Sequence, residues 1–399
     1  LPTAFSALRH REFRLFLGGQ VISLCGTWMQ NLAQVWLIYR LTHSTLLMGT
    51  LGFASLFPVL VVGPIAGLVA DRFPRRSIVL LAQYGFLLQS LALAILTLTD
   101  RITVPLLMTL AVVAGLINAF DIPARQSLFV HLVGEEDLPN AIALNSMTFN
   151  SARVIGPALA GFLVASVGEG LCFLFNSISY LAVIGSLWMI RLVEPGRESA
   201  PSPLTHLREG FRYAWSTRPV RIMLIATALA NLASAPVATL VPVFADAIFA
   251  KGSQGLGLLT GCLGCGAVVG TYALARQAQQ ANLFRVVYFS ALTTVAAYAV
   301  YALSPAFLLT LLASAVLGFG IFRQLASTNS LIQSTIPDDY RGRIMSLYSM
   351  TVVGMLPVGN LLAGAAAEAI GVRSTVAIGA LLSAAAALLW RREFPSRIH

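Results

Sequence analysis

The chain has 399 residues, 57% hydrophobic and only 11% charged, with a formal net charge of +10. An ordinary soluble domain has roughly a quarter of its residues charged, so a single soluble core cannot hide this much apolar sequence. Twelve apolar segments, each near the roughly 20 residues a spanning helix needs, occupy 14–39, 46–70, 77–98, 103–124, 141–167, 171–190, 219–249, 254–275, 284–303, 306–327, 343–367 and 373–390.

The placement of the basic residues explains their excess. When the breaks are assigned to alternate sides, twenty of the 26 Lys and Arg fall on one side and four on the other, with Arg153 and Arg323 inside segments. Such a bias orients both termini toward the cytoplasm and leaves no reason to invoke nucleic acid. The first apolar run is longer than the core of a signal peptide, so no cleavable leader is expected.

In the first segment Gln20, Ser23, Thr27, Asn31 and Gln34 recur at spacings of 3, 4, 4 and 3, which puts them on one helical face. Facing lipid, that stripe would be costly; it predicts a water-filled cavity or a polar contact with neighbouring helices. The second segment stops at "GLVADRFPRR", where Asp71, Arg72, Arg75 and Arg76 crowd into six residues. Gly63 and Gly67 just before them are expected to let this helix approach a neighbour closely. Asp121 is placed at the end of the fourth segment, with Arg125 and His131 in the polar connection beyond it.

The fifth segment carries Arg153 on the face shared by Ser146 and Asn150, followed by Gly156, Pro157 and Gly161. An arginine at that depth costs about 3 kcal/mol unless paired or hydrated, which marks it as the leading substrate contact. Residues 191–218 read as a linker between an N-terminal half, 1–190, and a C-terminal half, 219–399. Leu204, Leu207, Phe211 and Trp215 in it suggest a helix on the membrane face.

Further on, Thr227, Asn231 and Ser234 form a second polar stripe, and Cys262 and Cys265 form a C-x-x-C among small residues, read as helix packing rather than redox chemistry. Arg323 lies toward one end of the tenth segment, with a structural ion pair as likely a role as substrate contact. Asp246 and Glu368 lie toward the other ends of the seventh and eleventh and are the candidate proton-coupling acids. On this reading no carboxylate sits near a helix midpoint, which favours an anionic or zwitterionic amphipathic substrate over a lipophilic cation.

The chain also repeats itself at an offset of 203. Gly49, Gly52, Gly63 and Gly67 fall on Gly252, Gly255, Gly266 and Gly270, and Gly156, Gly161 and Gly168 fall on Gly359, Gly364 and Gly371. Two six-helix repeats are a signature of secondary transporters.

The loop motif gives a resemblance. "GPIAGLVADRFPRR" resembles the loop between helices 2 and 3 of the major facilitator superfamily, matching at Gly67, Asp71, Arg72, Arg75 and Arg76, with Pro74 where that family usually has glycine. "ARVIGPALAGFL" resembles the end of the helix-5 motif of its antiporters through Gly156, Pro157 and Gly161. "DIPARQSLFVHLV" and "IPDDYRGRIMSLYSM" are similar to its bacterial exporters of the enterobactin and macrolide efflux branch.

The resemblance implies an all-α membrane protein of twelve transmembrane helices, with helices 1, 4, 7 and 10 lining a cavity that Gln20, Thr27, Asn31, Gln34, Arg153, Asn231, Ser234 and Arg323 would furnish. It implies a conformational latch made of Gly67, Asp71, Arg72, Arg75, Arg76 and Asp121, and proton-driven export by a monomer whose partners are a small molecule, protons and the lipid bilayer. Uptake or facilitated transport of a metabolite or lysolipid is the alternative, and a receptor or assembly subunit that has lost transport is the alternative of another class. No P-loop and no paired metal-ligand motif is present in the sequence, so neither an enzyme nor any cofactor or metal is expected.

Overall fold

The computed structural model describes residues 3–190, 203–277 and 282–398, and gives only the backbone at Asp71, Val130, Glu135, Asn150, Asp338, 203–208 and a few terminal positions. The start of the linker, 191–202, lies outside the described residues, as do the side chains of Leu204 and Leu207. After a short 3-10 turn, Thr3–Arg9, the helices are α1 Arg11–Thr42, α2 Thr45–Arg72, α3 Arg75–Leu98, α4 Val104–Val167, α5 Glu169–Met189, α6 Pro203–Ser216, α7 Arg218–Val243, α8 Gly252–Gln277, α9 Leu283–Leu303, α10 Phe307–Thr335, α11 Asp338–Ile370, α12 Val372–Glu393 and α13 Pro395–Ile398.

Eleven stretches are long and apolar enough to cross a membrane, two of them being the arms of α4, Val104–Phe129 and Glu136–Val167. The twelfth spanning helix is α1, whose polar stripe dilutes its hydropathy without shortening its 32 residues. In lipid a helix satisfies its own backbone, which is why long apolar segments without β-type alternation take this form.

Two expectations about segment ends need correction. The fourth and fifth segments are not joined by a loop: α4 runs through both and turns at Gly134, whose φ of 75° suits glycine. The first arm therefore continues to Phe129, so Arg125 is not a loop residue and Asp121 is not at a helix end. Hydropathy truncates a span where a charged pair interrupts it, although the helix continues.

The described residues fall into two compact units, one taking the chain to Leu41 and again from Ala54 through α5, the other taking Thr42–Phe53 and everything from α6 onward. In the first unit α3 packs against α4 and α5, and α2 meets α4 where a Cβ on Gly115 would stand 2.6 Å from the Ser55 carbonyl oxygen and 3.0 Å from Pro58 Cγ. Phe13 and Phe16 lie edge-on to Phe129 in the apolar base. The backbone N–H of Ala7 donates to Asn140 Oδ1 (3.0 Å), and His10 meets Asp137 at 2.8 Å, tying the N-terminal turn to α4.

In the second unit the same repeat position makes the crossing of α8 with α10. Gly318, the counterpart of Gly115, is pressed on the Leu263 carbonyl, and Gly266 on that of Ala315. The repeat also shows in the ends: Gly168 and Gly371 close α4 and α11 with φ of 83° and 86°. It fails at Gly63 and Gly67. Within the first unit, Cβ atoms built there meet no described atom within 4 Å, whereas those built on their counterparts Gly266 and Gly270 meet the α10 backbone.

The start of α2 belongs to the second unit because of glycine and a carboxylate. Gly49 abuts Gly364 of α11 with Cβ to Cα at 3.0 Å, and Glu368 accepts hydrogen bonds from the backbone N–H (3.0 Å) and hydroxyl (2.9 Å) of Thr45 and from Leu46 N (3.3 Å). The carboxylate thus satisfies amide groups that a helix start leaves open. Glu368→Ala is expected to lower the thermal midpoint of the purified protein by the equivalent of no more than about 1 kcal/mol, a typical cap contribution.

The linker helix α6 packs on the start of α11, with Tyr213 stacked on Tyr340 (4.1 Å between centroids) and Arg343 paired to Glu209 at 3.2 Å. Phe211 and Trp215 stack on each other, both exposed.

Candidate transport site

A hydrogen-bonded cluster fills the middle of the first unit. Gln30 Nε2 donates to Gln89 Oε1 (3.1 Å), and Gln30 Oε1 accepts from Ser90 Oγ (2.6 Å) and Asn176 Nδ2 (2.8 Å). Asn176 also reaches the Tyr180 hydroxyl (3.3 Å), which meets Thr27 Oγ1 at 3.2 Å, and Thr27 Oγ1 donates to the Ser23 carbonyl (2.9 Å). With no water to turn to at this depth, each amide and hydroxyl needs such a partner, and α1, α3 and α5 are bound together through them.

A charged group adjoins that cluster. Asp121, 1% exposed, forms an ion pair with Arg125 one turn along α4 and accepts from Gln83 Nε2 of α3 at 3.2 Å. Arg125 Nη1 donates to Gln20 Oε1 of α1 at 3.0 Å. The Nε atom of Arg125 and the Nε2 atoms of Gln20 and Gln34 are buried without a hydrogen-bond partner.

The predicted polar face of α1 is therefore divided. Gln20, Ser23 and Gln34 are buried in the unit, Thr27 is half-buried on Tyr180, and Asn31 is exposed. Gln30, one turn from Gln34 and beside Ser23 on the edge of the same polar face, is the hub of the cluster, although the sequence stripe did not include it. Gln83, Gln89, Asn176 and Tyr180 were passed over too, although lone amides inside apolar segments are a legible sign of a buried polar contact.

Arg153 is half-buried, with its guanidinium 5.2 Å from the centroid of the Trp28 ring, and Trp28 stands edge-on to Phe149. Gly156 explains how Trp28 gets there: a Cβ at Gly156 would lie 2.6 Å from Trp28 Cβ and 2.8 Å from the Cys25 carbonyl oxygen, so its bare backbone admits α1. Pro157 and Gly161 are buried on the same stretch of helix. The side chain of Asn150, expected on Arg153's face, lies outside the described residues.

The arginine-rich loop is fastened within the first unit. Pro74, with φ −56°, begins α3, and its carbonyl accepts from Ser77 N and Ile78 N, so the turn needs no positive φ. Arg75 contacts His131 of α4, and Arg76 Nε donates to the Leu187 carbonyl at 2.9 Å, closing the end of α5. Arg72 is exposed, and the side chain of Asp71 is not among those described.

In the second unit a narrow cleft is lined by Thr227, Asn231, Thr294, Gln324, Thr328 and Ser383 among others. Asn231 Nδ2 donates to the Thr227 carbonyl (2.9 Å), and Ser234 Oγ to that of Asn231 (2.7 Å), so Ser234 turns back onto its own helix. Arg323 lies away from this lining, with Nη2 donating to Gln277 Oε1 at the end of α8 (2.7 Å) and its guanidinium over Phe319. Asp246 is half-buried in the π-turn that extends α7, and Glu368 caps α2. Cys262 and Cys265 are free thiols.

Twelve long helices in two repeats, with polar and charged side chains gathered inside them, define a major-facilitator transporter and not an enzyme. The chain belongs to the family described as Transmembrane secretion effector, which matches residues 2–397. It is 24% identical to the staphyloferrin A transporter of Staphylococcus aureus over 92% of both chains, and 26% identical to the enterobactin exporter of Shigella boydii over 89% of this chain and 85% of that one. Its fold matches the crystal structure of a bacterial homolog of the human lysosomal transporter Spinster, with a TM-score of 0.74, 15% identity and coverage of 97% of this chain and 98% of that one.

Proposed function

We propose that this protein is a secondary active exporter of small amphipathic molecules carrying negative charge, of the size and polarity of siderophores, working by alternating access and driven by the proton gradient of a bacterial inner membrane. The observation that carries this reading is Arg153, a half-exposed cation within a spanning arm, seated on the Trp28 ring where an anionic group with an apolar body would find both contacts. The enterobactin exporter supports the direction, and it and the staphyloferrin A transporter support the substrate class. The basic bias places both termini in the cytoplasm in this reading, and the loop at Arg72, Arg75 and Arg76 serves as its latch.

The test is flux in proteoliposomes under an imposed pH gradient, with enterobactin and carboxyfluorescein as anionic probes and ethidium as the cationic one. Gradient-driven movement is expected to favour the anions, and Arg153→Gln to lose that preference while the protein stays folded. Equal movement of the cation, or an unchanged mutant, would overturn the assignment of Arg153 as counter-charge.

A further inference from the structure

The second half of the chain is an internal control for the first. At the offset of 203, Asp121 corresponds to Gln324 and Arg125 to Thr328. Both counterparts are neutral, both line the cleft, and α10 folds with them in place. The helical architecture therefore does not require an ion pair at this position. Burying one inside a span is expensive, and replacing such a pair by neutral residues is often neutral or stabilising. A pair kept in one half and absent from the other calls for a role other than packing.

We infer that Asp121 is the proton-carrying carboxylate of this transporter, and that its protonation loosens α1 from α4 through Arg125 and Gln20. The inference rests on the proton-coupled reading above. Helices α1, α3 and α4 meet at the site, Arg125 coming from α4 itself, Gln83 from α3 and Gln20 from α1, with Tyr180 of α5 near enough to interact with the pair electrostatically. Among the described residues facing Asp121, Arg125 is the charged one and Tyr180 the other titratable one.

While Asp121 is ionised it holds Arg125, which in turn holds the Gln20 carbonyl oxygen. A proton delivered by water forms an O–H bond on one carboxylate oxygen, the Coulomb attraction to Arg125 is lost, and only hydrogen bonds rearrange. The unpartnered Arg125 Nε and Gln20 Nε2 supply donors for a water molecule or for a changed pairing. Because α1 also carries Thr27 and Trp28, its release reaches the neighbourhood of Arg153. Glu368, by contrast, is committed to the start of α2.

Two measurements on the full chain test this. Infrared difference spectra of the protein in nanodiscs, between mildly alkaline and mildly acidic pH, need no substrate. The carbonyl stretch of a protonated buried carboxylic acid is expected in the wild type and is expected to vanish in Asp121→Asn. Absence of that band in the wild type, or its survival in the variant, overturns the inference.

The second measurement uses the double variant Asp121→Gln with Arg125→Thr, which copies the second half's neutral pair, and follows carboxyfluorescein in proteoliposomes. Downhill movement is expected to persist and gradient-driven accumulation to be lost. Full retention of accumulation would leave the pair a structural element and sink the proposal. A wild type indifferent to the gradient with the Asp121 band present would instead sink the proton-driven export reading while leaving Asp121 the protonating group.

Discussion

Gly266→Val is expected to yield no folded protein, whereas Gly63→Val, the same position in the other repeat, is expected to express and melt like the wild type. At Gly266 the added Cβ would run into the carbonyl of Ala315 and, at 2.9 Å, the backbone N of Phe319, so relief requires moving the α10 backbone. Inserting bulk into a well-packed core commonly costs 1–3 kcal/mol, and backbone obstruction lies at or beyond about the top of that range. At Gly63 no described atom lies within 4 Å of the new carbon. Size-exclusion profiles and thermal unfolding of the two detergent-purified variants check the pair. Similar behaviour of the two would mean that the α8–α10 crossing is far more yielding than its geometry indicates.

The second large effect is expected at Arg125. Arg125→Met leaves the Asp121 carboxylate buried with Gln83 as its remaining hydrogen-bond partner, and breaking a buried pair from one side costs about 3–5 kcal/mol. The double variant Asp121→Gln with Arg125→Thr removes both charges and is expected to recover most of that loss. Thermal midpoints of the single and double variants, measured in one detergent, give the coupling directly. A single variant as stable as the wild type would mean that Asp121 is already protonated in the resting protein.

Apolar runs made most of the fold readable in advance, because a bilayer-spanning helix announces itself by length and by missing charge. The limits of that signal appear at α4. The fourth segment was ended before Arg125, where charge gathers, yet the helix runs on through it, with Asp121 paired to Arg125 one turn away. The repeat was legible from glycines alone, but a glycine shows only that a close approach is permitted. Gly266 has such a neighbour within its unit and Gly63, among the described residues of its own, does not, which depends on how each repeat packs rather than on the residue.

For the site, helical periodicity grouped Gln20 with Thr27 and Asn31. It could not say that Gln20 is committed to Arg125 while Asn31 is left exposed, since that depends on which helices flank α1. Arg153 stood out as a cation inside a span, but its seat on Trp28 depends on the gap that Gly156 leaves for α1.

The unequal halves have a consequence for how such a transporter would change its repertoire. Gln324, Thr328 and Ser383 line the cleft and belong to no ion pair among the described residues, so new side chains can be tried there without disturbing one. Gln83, Asp121 and Arg125 have no such freedom, because each is the partner of another. Laboratory selection for a wider range of exported compounds would be expected to collect its substitutions around the cleft of the second repeat, letting one duplicate diversify while its twin stays as it is.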